Sequence, residues 1–344
     1  LAAALKLHPL AAQVLINRGH RTEEQANAFL SDRLGDLPDP SLLKDMAKAV
    51  ERLCRALREK EKITLYGDYD VDGVCSTSLL YLFLRRLGAQ VATYIPRRLG
   101  EGYGLNSPAI EKIAADGTSL VVTLDCGITS NAEVVQANRL GLDVVIVDHH
   151  QVPSSPPPAF AILNPHQPAC GYPTRNLCAA GVAFNLCLAL RRGLRAENAF
   201  QSSKEPNLRS MLDLVALATV ADVMPLTGAN RILVKHGLEV LSAPERPGIR
   251  ALKEVSGLPA QAPVGAGTVG FRLAPRINAA GRLDDASVGL RLLCSEDLAE
   301  ARGLAQALDA ANRERREIEQ QILAQALQQA QSRMPRAKGL VLTS

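Results

Sequence analysis

Three short apolar runs in this chain each end in aspartate: KITLYGDYD at 62–70, SLVVTLD at 119–125 and LDVVIVD at 142–148. Between them lie stretches of helical period, Ser76 to Leu87 and Ala132 to Arg139. A run that is apolar at nearly every position suits a strand covered on both faces. Strands alternating with helices supply that cover in a parallel sheet. The fold class is therefore α/β, a parallel sheet flanked by helices.

Helices and loops are expected around this sheet. The stretch up to about Leu30 reads as short helices, one opened by Thr22 with Glu23 and Glu24 in its first turn. The segment LPDPSLL at 37–43 is a loop, and Lys44 to Lys60 has the pattern of an amphipathic helix. QVPSSPPPAF, after the third aspartate, must be irregular, because stacked prolines continue neither a helix nor a central strand. A helix is expected over Ala179 to Arg192, then a polar break, QSSKEPN, at 201–207. MLDLVALATVAD is helical in period and almost wholly apolar, so it is expected to be buried. Gly and Pro crowd positions 244–281. From Asp297 to Ala330 no proline interrupts a run rich in Ala, Leu, Gln, Glu and Arg, which predicts one helix of ~45 Å. The arginines on it, Arg313, Arg315 and Arg316, are interleaved with Glu314, Glu317 and Glu319, so ion pairs within the helix are their expected use. The domains expected are an N-terminal helical segment at 1–45, the α/β domain at 46–295, a long helix at 296–335 and the stub of another domain at 336–344.

Composition limits the function classes. With 47% apolar residues a sizeable core is expected, but aromatics make up 3% and Trp is absent, so Leu, Val, Ile and Ala must fill it. A net charge of +4 permits an anionic substrate without arguing for one. The seven cysteines include no C-x-x-C pair, which points to free thiols in a reducing cytoplasm rather than a zinc site or a disulfide scaffold. No apolar run reaches the ~20 residues that span a bilayer, and the first residues lack a secretory signal pattern.

In an open parallel sheet ligands gather beyond the carboxyl ends of the strands. Here those ends deliver Asp68, Asp70 and Asp72, then Asp125, then Asp148, His149 and His150. If residues 68–72 are extended, the three alternate carboxylates share one face. A lone Asp at such a place is commonly a helix cap, and a lone His pair is filler. Three such ends together form a cluster that would repel itself without a compensating cation. Mixed carboxylate and imidazole donors suit Mn²⁺ better than Mg²⁺, which prefers an all-oxygen site. Ser76 and Thr77 are candidates either for capping or for phosphate contact at the helix start.

These residues spell motifs. GDYDVDG at 67–73, TLDCG at 123–127, DHH at 148–150 and VADVMPL at 220–226 resemble the four motifs of the DHH phosphoesterases. RINAAGRLDDAS at 276–287, IPRRLGEGYGLN at 95–106, and LINRG and LPDPSLLKDM near the start are similar to the single-stranded-DNA exonucleases of that family. The resemblance implies metal ligation by Asp70, Asp72, Asp125, His149 and Asp222 around two ions, Mn²⁺ or Mg²⁺, with Asp125 as their bridge. It implies contact of His150 with the scissile phosphate, orientation of its neighbours by Asp148, and support from Asp68. Arg98, Arg276 and Arg282, with Asn278, become candidates for binding the substrate. The implied activity is 5′→3′ hydrolysis of single-stranded DNA in repair and recombination by a two-metal in-line displacement. The implied partners are the strand itself and a single-stranded-DNA-binding protein or a helicase.

One departure stands out: many family members carry His four residues before the Asp70 position, and this chain has Tyr66. Two rival functions share the motifs. One is a phosphodiesterase or phosphatase acting on small nucleotides or pyrophosphate, and the other is a non-catalytic scaffold. The family architecture also places a second domain after a long connecting helix, so KGLVLTS reads as its first strand, cut short.

Overall fold

A computed structural model describes residues 1–31, 33–97, 102, 104–201, 204–282, 285 and 287–333. Among them, five strands form one all-parallel sheet in the order β2-β1-β3-β4-β5. The strands are β1 (Lys62–Gly67), β2 (Gln90–Tyr94), β3 (Leu120–Leu124), β4 (Asp143–Val147) and β5 (Ala161–Leu163). The three aspartate-tipped runs are thus the three central strands. The edge strands were not legible. β2 is half exposed, and β5 is three residues directly after the irregular proline segment.

Each central strand feeds both faces. Ile63, Leu65, Leu120, Val122, Leu124, Val145 and Val147 pack into the larger core. On that side lie α1 (Met46–Glu59), α2 (Val71–Arg86), α5 (Ala179–Ala196) and α6 (Leu212–Ala221). Val121, Val144 and Ile146 point the other way, against α3 (Ser107–Ala115) and α4 (Asn131–Arg139). Two-sided burial is why the strands read as unbroken apolar runs.

Several expectations for the helices hold. Thr22 opens Glu23–Leu30 with a reciprocal capping box to Gln25. The Gly- and Pro-rich region forms short helices that include a π-turn, Val269–Leu273, leading into α7 (Ala274–Asn278). The long helix, α8 (Leu298–Arg333), extends about 54 Å at 1.5 Å per residue. Two of its arginines are paired within the helix, Arg315 with Glu319 at 2.9 Å and Arg313 with Asp309 at 3.3 Å. The expected stub at 336–344 lies outside the described residues. No helix among the described residues is long and apolar enough to cross a membrane.

Candidate metal centre

The geometry corrects the reading of residues 68–72 as one extended segment. β1 stops at Gly67, and α2 begins at Val71 with Asp70 as its N-cap, the Asp70 carboxylate accepting from Gly73 N at 3.0 Å. Asp72 is therefore in the first turn of a helix, not on an alternating strand. Asp70 supplies a cap, so the motif reads as strand, tight turn and helix start. Gly73 makes the turn possible: a Cβ there would sit 2.4 Å from the Asp68 carbonyl oxygen. With Asp70 as the N-cap, Ser76 and Thr77 do not cap this helix. Both are fully buried, and both hydroxyls donate back to the Gly73 carbonyl, at 3.0 and 2.7 Å.

Asp72 performs a second task. Its carboxylate accepts from the backbone N–H groups of Ala179 and, at 2.8 Å, Ala180, the first residues of α5. Cys178 at the N-cap of that helix offers no side-chain bond, so a carboxylate from another helix takes the orphan amides. Asp125 follows β3 with φ of 65°, a left-handed conformation that Asp tolerates better than most residues. Asp148 follows β4 and is fully buried. Its Oδ1 accepts from His149 N at 2.7 Å, His150 N at 3.0 Å and His150 Nδ1 at 2.7 Å, and its Oδ2 accepts from Ile128 N at 3.0 Å.

These groups meet around His149. Its Nε2 lies 3.1 Å from Asp125 Oδ1, 3.5 Å from Asp222 Oδ2 and 3.6 Å from Asp72 Oδ2. Among the described residues, three overlapping sets bring their potential ligand atoms within 4.8 Å of one another: Asp125 with His149 and His150, Asp72 with His149 and Asp222, and Asp68 with Asp70 and Asp125. Burial, aided by neighbouring carboxylates, pushes the Asp72 carboxyl up to about 8, Asp222 to about 6, and Asp125 well above the usual range. Burial also lowers His149 to about 4, which leaves a neutral imidazole near pH 7. His150 moves the other way, raised by its hydrogen bond to Asp148.

This donor set fits a divalent cation. The buried Asp222 Oδ2 has no hydrogen-bond donor among the described residues. A positive ion among the carboxylates would offset both the burial of their charge and the repulsion between them, which together raise their pKa values. The donors are oxygens and imidazole nitrogen, the mixture that accommodates Mn²⁺. Burial pushes the thiols of Cys75, Cys126 and Cys178 upward, and among the described residues the three sets of clustered ligand atoms contain carboxylates and imidazoles but no thiol.

Other sequence candidates divide. Asn278 reaches the cluster, its Oδ1 accepting from Val71 N, between Asp70 and Asp72, at 3.0 Å. Arg276 does not reach it. Its Nε is 2.9 Å from Asp309 on α8, and another of its nitrogens donates to Arg272 O. Arg98 and the side chain of Arg282 lie outside the described residues. Tyr66 is buried on the α3 side of the sheet, donating to Gly104 O at 2.8 Å and accepting from Asn106 Nδ2 at 3.0 Å. One contributor was missed altogether. Asn164, after β5, donates to His150 O at 2.9 Å and accepts from His166 N at 2.8 Å, which ties the histidine turn to the neighbouring strand. A single Asn after AIL carries no sequence signal of that contact.

The model of the DHH family, N-terminal domain, matches residues 62–219. The single-stranded-DNA-specific exonuclease RecJ of Dickeya dadantii (strain 3937) is 45% identical over 325 residues, 93% of this chain and 56% of that protein. A crystal structure of exonuclease RecJ bound to manganese is 38% identical with a TM-score of 0.75, covering 86% of this chain and 72% of that one. A crystal structure of RecJ from Thermus thermophilus in complex with Mn²⁺ is 36% identical with a TM-score of 0.80, covering 96% of this chain and 45% of that one. The chain spans about half the length of the curated relatives it matches.

Proposed function

The chain belongs to the DHH family, in the company of the RecJ exonucleases, and on that premise we propose that it is a metal-dependent exonuclease hydrolysing single-stranded DNA in repair and recombination. The observation that carries the reading is the meeting of Asp72, Asp125 and Asp222 around His149 Nε2, in a chain 45% identical to a single-stranded-DNA-specific exonuclease. Asp70, Asp72, Asp125, His149 and Asp222 would hold two ions, Mn²⁺ or Mg²⁺, with Asp125 between them and Asp68 supporting. Bound divalent ions supply Lewis acidity and neutralise charge on an in-line displacement at phosphorus.

The chain's own residues do the rest. Asp148 fixes the His150 ring by its bond to Nδ1, and so directs Nε2 away from that bond. The same bond favours the imidazolium, a cationic donor suited to a non-bridging phosphate oxygen. Asn278 braces the start of α2, where Asp70 and Asp72 are set. Arg98 and Arg282 are the proposed phosphate contacts beyond the cluster. The ion pair of Arg276 with Asp309 supports a role in holding α8 instead. The 5′→3′ direction rests on the family resemblance, and the protein partner proposed is a single-stranded-DNA-binding protein or a helicase. The free cysteines support a cytoplasmic location.

The test is Mn²⁺-dependent digestion of single strands labelled separately at the 5′ and 3′ ends, with chelator controls. Early release of the 5′ label as mononucleotide is expected. Turnover of pyrophosphate or dinucleotides with the long strand left intact would replace this reading with a small-substrate phosphodiesterase.

A further inference from the structure

Phe271 is 87% exposed and Val223 is 84% exposed, the most open of the large apolar side chains among the described residues. Both are placed by the end of α6, the helix that delivers Asp222. Val223 directly follows Asp222 and adopts φ of 54°, a conformation that a β-branched residue rarely takes. Phe271 sits on the π-turn Val269–Leu273, whose Gly270 backbone packs on Val220: a Cβ at Gly270 would be 3.8 Å from Val220 Cγ1. Sequence accounts for that turn. Pro275 has no N–H for the Phe271 carbonyl four residues back, and its ring crowds that oxygen, so a regular α-turn is denied. π-turns of this kind cluster at functional sites.

The segment continues through α7 to Asn278, whose side chain accepts from Val71 N beside Asp70 and Asp72. Residues 269–278 therefore pass from the Asp222 side of the cluster to the α2 side. The two buried members of the π-turn, Val269 and Leu273, account for its packing, while the Phe271 ring stands open to solvent.

We infer that Phe271, with Val223 beside Asp222, forms an apolar shelf at the mouth of the metal centre that takes the bases of a single strand. This rests on the proposed DNA substrate and adds how the strand is held. A metal centre alone would grip the backbone phosphates without regard to bases. An aromatic face accepts any unpaired base by stacking, so it contributes affinity without sequence preference. A base in a duplex has both faces occupied, and the shelf therefore favours single strands.

The test compares an oligothymidylate with a strand of the same length built from abasic residues, both with Mn²⁺. Wild type is expected to show a lower KM for the strand with bases. Phe271→Ala should raise the oligothymidylate KM about tenfold and bring the ratio between the two strands close to one. Phe271→Trp should keep or widen the preference, and the exposed position makes both variants undemanding to fold, which circular dichroism checks. A Phe271→Ala protein with the wild-type ratio overturns the shelf while leaving the exonuclease reading intact. A wild type that degrades neither strand overturns the reading and the shelf together. If Phe271→Ala instead abolishes self-association in sedimentation and leaves the ratio unchanged, the ring covers a protein contact and the shelf is wrong.

Discussion

Asp148→Ala offers the sharpest trial of the site's construction. The wild-type carboxylate is fully buried and accepts four hydrogen bonds between 2.7 and 3.0 Å, three from backbone amides and one from the His150 ring. Alanine leaves those amides facing a small void. A buried donor without an acceptor costs about 1–3 kcal/mol, so three of them cost roughly 3–5 kcal/mol if water makes up part of the loss. That is a large share of the ~5–15 kcal/mol that separates a folded domain from its unfolded state. Asp148→Asn can keep its oxygen toward His149 N, His150 N and His150 Nδ1 while turning its amide toward Ile128 N. It gives up one bond and should cost about 1–2 kcal/mol. Catalysis should fall further than stability in the Asn variant, because a neutral acceptor no longer favours the charged His150. A drop of roughly 10–100-fold is expected for a residue that orients others. Urea unfolding at pH 7 gives the first quantity, and Mn²⁺-dependent strand hydrolysis gives the second. If Asp148→Ala unfolds within about 1 kcal/mol of wild type and cleaves at its rate, the turn is not built on this carboxylate.

Three further outcomes are expected. Asp125→Ala should abolish hydrolysis with secondary structure retained by circular dichroism, since it removes a member of two ligand sets and relieves carboxylate repulsion; wild-type-like turnover would sink its bridging role. Calorimetric titration should resolve two Mn²⁺ affinities, because the Tyr66 hydroxyl bonds to Gly104 O and Asn106 Nδ2 and stands where the family resemblance implies a histidine ligand; two equally tight sites would show that another group, such as Asp68, takes that place. With metal chelated, thermal stability should fall from pH 6.5 to pH 8. Asp72, raised to about 8, keeps its proton in the folded state over that window, whereas an unfolded Asp has lost it, and the opposing contribution of His149 has ended by about pH 6.5. Mn²⁺ at a hundred times its Kd should add ~2.7 kcal/mol at the upper pH; a chelated protein that gains stability across this window would refute the sign.

How far the sequence could be read depended on the range of each contact. The central strands were legible because burial on both faces leaves Val121, Val122, Val144 and Val145 in unbroken runs. The long helix was legible because no breaker interrupts it. Asp72 lies near His149 and Asp222, but from the first turn of α2 and not from an alternating strand. The change from strand to helix happens within Gly67–Val71, shorter than any periodic window. The pairing of Arg276 with Asp309 is not legible in the sequence, because the two lie 33 positions apart. Asn164 was invisible for the same kind of reason, as its partner is the backbone of a turn on another strand. Asp222 is a candidate through the family resemblance alone. Nothing local separates it from a helix-end Asp before Pro225.

Helix α5 takes its cap from a neighbouring helix, and this has a consequence for metal affinity. The Asp72 oxygens that would attract an ion are already turned toward Ala179 and Ala180. An ion held by Asp72 would displace the carboxyl proton and change the charge on those oxygens, so the bonds that secure the first turn of α5 would change with metal occupancy. Farther along the same helix, Gly193 packs against Val50 of α1. The two amides thereby become a built-in gauge. Their hydrogen-exchange rates should track metal occupancy in the absence of any substrate, while amides farther along α5 stay silent.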